Sequence, residues 1–338
     1  MNRSDVIGGS AVALTEALPF VAGIPRVYLV SDAIDTNGRF LLYTLASQVL
    51  SSASNNSNDK KKGRVLWLGC GPLTQEQILQ GLRKIGCDRS VLATSTQANH
   101  KEPKSLTIRS LCVELSHKML LQDDSHQDIN KVFMKEMMQF VDQWLLLDNN
   151  SNNEMGTPWI ILDDVSTLAN LVGEQLVYQF ILQLCAKSHA GGDGVTMSTS
   201  PGVILRCSND QEDESLPVYS GASLKGHQAW FGAGGANNST QQQQQAIHSE
   251  EPPWERSLVE LADGVMDVLP LASGYTRELH GRIVLTEMPF GRGWKHNNKQ
   301  QSDAAAIRNT HSKKAYPAMQ IVNYCITDQN PKIVAYIM

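Results

Sequence analysis

A turn that cradles phosphate needs glycines whose backbone N–H groups wrap the anion. It also needs a lysine for the terminal phosphates and a hydroxyl for magnesium, spaced GxxxxGK[ST] between a strand and a helix. The segment Ala33-Ile34-Asp35-Thr36-Asn37-Gly38-Arg39-Phe40 has that setting without that chemistry. An apolar run, Arg26–Ser31, precedes it, and a helical stretch from about Gly38 to Leu50 follows. Gly38 fits, but Ala33 stands at the first glycine, Arg39 at the lysine and Phe40 at the hydroxyl. Ala33 has a Cβ that closes backbone angles open to glycine. Arg39 keeps the charge but loses the compact ammonium, and Phe40 cannot hold a metal. Asp35 would set a negative charge beside a polyphosphate. The pattern predicts a plain strand-to-helix turn with no bound cofactor.

A second place tells a matching story. Trp159–Leu162 (WIIL) ends in Asp163-Asp164, where a magnesium-holding carboxylate would sit at the end of a core strand. With no hydroxyl at Phe40 to share the ion, the pair is expected to be a strand terminus or helix cap. Metal binding and catalysis are not expected. The competing reading is an active ATPase that uses Arg39 and Asp163.

The third place, Arg64–Pro72 (RVLWLGCGP), resembles the glycine-rich motif of S-adenosylmethionine-dependent methyltransferases, with Gly69, Gly71 and a later Asp88 for the ribose. Trp67 stands where an acid is usual, and Pro72-Leu73 crowds the last glycine position. Asp88 follows a helix end with no strand before it. A tight Gly-Cys-Gly-Pro turn is the expectation.

Other polar residues offer less. His117, His126 and His280 have no partners at ligand spacing. Ser166 lacks a GxSxG setting and reads as a helix cap, and Met137-Met138 reads as core. The segment 291–314 gathers Arg292, Lys295, Lys299, Arg308, Lys313 and Lys314 around Trp294, against one acid, Asp303. Basic charge with an aromatic stacking surface suits a single-stranded RNA contact, although a solvated loop has the same composition.

The elements that must position these residues alternate between strand and helix over most of the chain, which predicts a parallel sheet with helices on both faces. Strands are expected at Arg26–Ser31, Arg64–Leu68, Ser105–Leu111, Trp159–Leu162 and Val203–Cys207. Continuous apolar runs such as WIIL suit strands buried on both sides. Thr74 and Gln77 form a capping box for a helix with the stripe Ile78, Leu82, Ile85, stopped by Gly86. Ile129–Leu147 repeats apolar residues at helical spacing. Ser166 is expected to open a helix lined by Leu168, Leu171, Val172, Leu176, Phe180, Ile181 and Leu184. In the last third Val265–Leu271, Arg282–Leu285, Met319–Ile326 and Ile333–Ile337 read as strands without long helices between them, and so as antiparallel. Residues 51–62, 208–253 (with Gln241–Gln245) and 291–314 read as flexible or disordered insertions in one domain spanning residues 1–338.

The chain of 338 residues is 41% apolar and 19% charged, the balance of a soluble globular protein. Its net charge of -5 excludes a nucleic-acid binder coated in positive charge, so RNA contact must be local or come from a partner. The six cysteines lie far apart with no CxxC pair, which argues against zinc and for a reducing compartment, the cytoplasm. The stretch Val6–Phe20 is broken by Gly8, Gly9, Ser10, Thr15 and Glu16, and predicts neither signal peptide nor membrane span.

Taken together, the segments Val27–Leu50, Thr74–Asp88, WIILDDVSTLANL (Trp159–Leu171), Gly202–Ser215 and Leu261–Leu285 resemble the Elongator complex protein 6 family. The most specific element is WIILDDVSTL joined to a phosphate turn without its lysine and hydroxyl. The resemblance implies a RecA-like fold without functional Walker motifs and with no catalytic residue to carry over. It further implies a heterohexameric ring with Elongator subunits 4 and 5. That ring binds tRNA and serves modification of the wobble uridine (U34) by a separate catalytic subunit, in the cytoplasm and also the nucleus. The glutamine tract and the basic loop depart from the family.

Overall fold

The computed structural model of the chain describes residues 10–18, 20, 22, 24, 26–33, 36–51, 62–87, 92, 105–121, 128–146, 155–189, 200–209, 254–271, 279–288, 318–326 and 333–337. The strands are β1 (Ser10–Ala13), β2 (Val27–Ala33), β3 (Lys62–Gly69), β4 (Leu106–Ser110), β5 (Met155–Asp163), β6 (Gly202–Asn209), β7 (Gly264–Leu269), β8 (Gly281–Glu287), β9 (Ala318–Ile326) and β10 (Ile333–Ile337). They form one 10-stranded sheet in the order β1-β10-β9-β8-β7-β2-β6-β5-β3-β4. From β7 to β4 neighbouring strands run parallel, and from β7 outward to β1 they run antiparallel. The fold is the expected α/β class, a large central sheet with helices on both faces and antiparallel strands from the C-terminal third.

Alternation along the strands explains why both faces are covered. In β3 Val65 and Trp67 enter one core while Leu66 and Leu68 enter the other; in β5 Trp159 and Ile161 oppose Ile160 and Leu162. Side chains of period two on a strand packed on both sides are therefore mostly apolar, with charge confined to residues that find partners. The first core is covered by α1 (Leu14–Ala17), α2 (Arg39–Ser51) and α3 (Gln75–Lys84). The second is covered by α4 (Leu111–Leu121), α5 (Ile129–Leu146), α6 (Val165–Val172), α7 (Glu174–His189) and α8 (Trp254–Leu261). Crossovers toward β4 pass over the first face, and those that return pass over the second. A single handedness of crossover requires that division.

The chain departs from several expectations. The stretch from Ser166 to Leu184 is two helices, capped at Asp164 rather than Ser166 and divided at Gly173, whose φ of 99° ends the first. Strand β7 is parallel to β2 and antiparallel only to β8, so it closes the parallel set rather than joining the antiparallel one. Elements β1, α1, α4 and α8 carry too short or too weak a pattern to be read from sequence. Ser51 ends α2, Lys62 opens β3, and Ser208 with Asn209 completes β6. The first two proposed insertions, 51–62 and 208–253, are thus shorter than expected at those ends; their remainders, and all of 291–314, lie outside the described residues. The capping box is present: Thr74 N–H donates to Gln77 Oε1 at 2.9 Å, and Gln77 N–H donates to Thr74 Oγ1 at 3.3 Å. All six cysteines are free thiols. Among the described residues no helix is long and apolar enough to cross a membrane.

Candidate functional site

The carboxyl ends of β2, β6 and β5 lie side by side, and the crossovers from β2 and β6 leave in opposite directions. Such a point is where open α/β sheets open a ligand crevice. Strand alternation decides what points into it. Asp32 lies two residues beyond Val30, Asp163 two beyond Ile161, and Arg206 two beyond Ile204, all of which enter the first core. The three charged residues therefore share the face that α2 covers, where Arg39 of the first helical turn meets them.

They form a hydrogen-bonded network in which Asp32 Oδ1 alone is buried without a partner among the carboxylate oxygens of Asp32 and Asp163. Arg206 donates from Nε and Nη2 to Asp32 Oδ2 at 3.2 and 3.0 Å, and from Nη1 to Asp163 Oδ1 at 2.9 Å. Arg39 Nε donates to the other Asp163 oxygen, Oδ2, at 2.8 Å. The Gly38 N–H donates to Asp32 Oδ2 at 2.8 Å. Asp32 and Asp163 are 2% and 1% exposed, and Arg206 is 7% exposed. Two guanidiniums thus clasp two carboxylates across three strands and a helix start. Burial pushes the Asp32 carboxyl above the usual carboxylate range, against the pull of Arg206 and the Gly38 amide. Burial alone would lower the Arg206 pKa, but Asp32, Asp163 and Asp164 raise it.

The turn before α2 is fastened on other sides. A Cβ on Gly38 would lie 3.1 Å from Val30 Cγ1 and 3.2 Å from Asp32 Cβ, so a glycine suits the close approach. Asn37 Oδ1 accepts from Arg39 N–H at 3.0 Å, and Thr36 Oγ1 donates to the Val268 carbonyl at 2.9 Å. Phe40 packs on Tyr324 with ring centroids 4.7 Å apart. Asp164 is left-handed, with φ 70° and ψ 60°, and caps α6 by accepting from Thr167 N–H at 3.2 Å.

This arrangement does not fit a magnesium nucleotide. The Gly38 amide, which would face a phosphate, is satisfied by Asp32. Arg39 is held by Asp163, the carboxylate a metal would need. Phe40 is part of an aromatic contact. Among the described residues no group of His, Cys, Asp and Glu is placed to hold a metal ion. The site is an ion network and not a cradle.

Of the residues singled out in the sequence, Ala33, Gly38, Arg39, Phe40, Asp163 and Asp164 come together here. The Gly69–Pro72 turn lies beside them: Cys70 N–H donates to the Asp163 carbonyl at 2.8 Å, and the Cys112 thiol donates to the Cys70 carbonyl. A Cβ on Gly71 would lie 3.0 Å from Asp164 Oδ2. That turn therefore packs against the end of β5; Asp88 lies outside the described residues. So do Arg292, Trp294, Lys295, Lys299, Arg308, Lys313 and Lys314, and His126. His280 Nδ1 accepts from Ile326 N–H at 2.9 Å. Ser166 Oγ accepts from Ser208 N–H at 3.1 Å instead of capping a helix. Met137 is buried and Met138 packs against the second core.

Two members of the network, Asp32 and Arg206, belong to no motif in the sequence. The one signal they leave there is an arginine inside the apolar run VILRC, since a charge in a buried strand needs a paired partner.

Order of strands, crossover pattern and the altered phosphate turn define an α/β domain with a mixed sheet, in which the place of a phosphate turn is filled by the chain's own side chains. No protein-family profile matches the chain, and no curated protein is similar to it in sequence. Among solved structures it is similar to a KaiC-like protein of the hyperthermophilic archaeon Pyrococcus horikoshii. That likeness has a TM-score of 0.46 and 10% identity, covering 94% of this chain and 98% of that one. It is also similar to an uncharacterized protein of Pyrococcus horikoshii, solved in complex with an unknown peptide. There the TM-score is 0.43 at 10% identity, covering 91% of each chain. Neither similarity bears on function.

Proposed function

We propose that this protein is a non-catalytic assembly subunit of an Elongator-type complex, joining subunits 4 and 5 in a heterohexameric ring that holds tRNA for wobble-uridine modification. The observation that carries the non-catalytic part is the clasp: the groups an ATPase would turn toward phosphate and magnesium are bonded to one another. The particular family rests on the sequence resemblance centred on WIILDDVSTL.

An assembly role agrees with the surface. Among the described residues strand β4 ends the sheet with one neighbour, β3. Directly after it α4 exposes Val113 and Leu120, the latter at 83%. A sheet edge beside exposed apolar residues suits contact with another subunit. The basic residues of 291–314 remain the proposed RNA contact, and the cytoplasm and nucleus the proposed compartments.

The test is co-expression of the chain with subunits 4 and 5, followed by sedimentation of the purified assembly. A defined hetero-oligomer that binds tRNA is the expected result. A chain that stays apart from both subunits, or that hydrolyses ATP alone, removes the proposal.

A further inference from the structure

The misfit between this site and a nucleotide has a consequence for how the fold stays ordered. In the same place another chain of this architecture would gather a polyphosphate, a cation and the backbone amides of the turn. Here Asp32 supplies the negative charge that meets the Gly38 amide, and Arg206 supplies the positive charge between Asp32 and Asp163. Arg39 joins Asp163 from the helix side. Four elements, β2, β5, β6 and α2, are tied together by these bonds.

We infer that the clasp is an internal surrogate ligand, which keeps the carboxyl ends of β2, β5 and β6 and the start of α2 in one arrangement with no nucleotide bound. A bound nucleotide makes such a crevice switchable, because order follows occupancy. A surrogate made of the chain's own side chains leaves it permanently closed. This inference stands on the clasp and does not need the ring or the RNA contact.

The Gly38 amide is a direct reporter. It precedes the first turn of α2, where backbone N–H groups have no partner within the helix and exchange readily with solvent. Its protection therefore depends on Asp32. In the wild-type full chain without nucleotide, hydrogen exchange resolved to the Gly38 amide is expected to be slowed by roughly a hundredfold or more. Magnesium ATP in large excess is expected to change neither that rate nor the thermal midpoint.

The variant Asp32→Ala is expected to return Gly38 exchange toward the free-peptide rate while the amides of β3 stay protected. Fast exchange at Gly38 in the wild type, whether or not magnesium ATP slows it, overturns the inference. So does a saturable rise of the thermal midpoint with magnesium ATP. If Asp32→Ala does not fold, the wild-type measurements decide alone. If it folds with Gly38 still protected, the surrogate role is wrong.

Discussion

Removing one partner of a buried ion pair leaves a charge without compensation, and the cost depends on how dry the site is. Arg206 serves two carboxylates that are almost wholly buried. Arg206→Met is therefore expected to destabilise the fold by about 3–5 kcal/mol in urea titration. Arg39, with a side chain 17% exposed, serves only Asp163, and Arg39→Met should cost clearly less. Equal losses for the two variants count against the central place of Arg206. Asp164 poses a different residue-scale problem, a left-handed backbone combined with a helix cap. Asp164→Gly keeps the backbone at ease and loses only the cap, a few tenths of a kcal/mol. Asp164→Ala loses the cap and adds left-handed strain, about 2 kcal/mol in all. Thermal melts of the pair in which alanine proves the milder change rule out that account. Cys185 ties the same scale to pH. Burial first, and Asp263 second, push its thiol up to about 12. Between the ordinary thiol value of about 8.5 and about 12 the unfolded chain has released this proton while the folded chain keeps it. The Cys185 contribution is thus complete below that window and lost as pH rises through it, by up to about 1.4 kcal/mol per pH unit. Stability measured from pH 8 upward should fall less steeply in Cys185→Ala; an unchanged slope refutes the assignment.

Between elements, the packing of α3 on α2 turns on a single missing side chain. A Cβ on Gly81 would lie 2.3 Å from the Tyr43 ring, which itself stacks on the buried Trp67 with centroids 5.4 Å apart. Alanine normally favours a helix over glycine by about 1 kcal/mol. Here it must push an aromatic ring against a fixed neighbour, an overpacking cost of about 1–3 kcal/mol. Gly81→Ala is expected to be net destabilising, and Gly81→Ala with Tyr43→Leu to recover part of the loss. A stabilised single variant, seen as a higher thermal midpoint, contradicts the packing. The same scale explains why α2 begins where it does. Its first residue faces Asp163 across the crevice, so the helix start and the end of β5 hold each other in place.

For the whole molecule the informative quantity is salt dependence. A chain of net charge -5 can hold RNA only through a local basic surface or a partner. If the proposed ring with subunits 4 and 5 forms and binds tRNA, neutralising Arg292, Lys295, Lys299, Arg308, Lys313 and Lys314 together is expected to weaken that binding. It should also lower the slope of log affinity against log salt, by roughly 0.7 for each phosphate that is no longer neutralised. Unchanged affinity with an unchanged slope makes 291–314 a solvated loop. Wild-type assembly in that variant separates weakened RNA binding from failure of the ring to form.

Much of the fold was legible because strands buried on both faces leave long apolar runs, and Arg64–Leu68, Trp159–Leu162 and Val203–Cys207 are such runs. The same pattern placed the altered phosphate turn at Ala33–Phe40 and the acidic pair at Asp163-Asp164. Short elements escaped, since α1 and β1 hold too few residues for a period to emerge. The division of Ser166–Leu184 escaped because the helical spacing continues across Gly173. What composition and order along the chain determined was that the turn before α2 carries Arg39 and Phe40 where a phosphate turn has its lysine and hydroxyl. What tertiary structure alone decided was what replaces it. Arg206 comes between Asp32 and Asp163 only because β6 inserts between β2 and β5, and pairing between strands distant in the chain leaves no trace in the local pattern of any one of them.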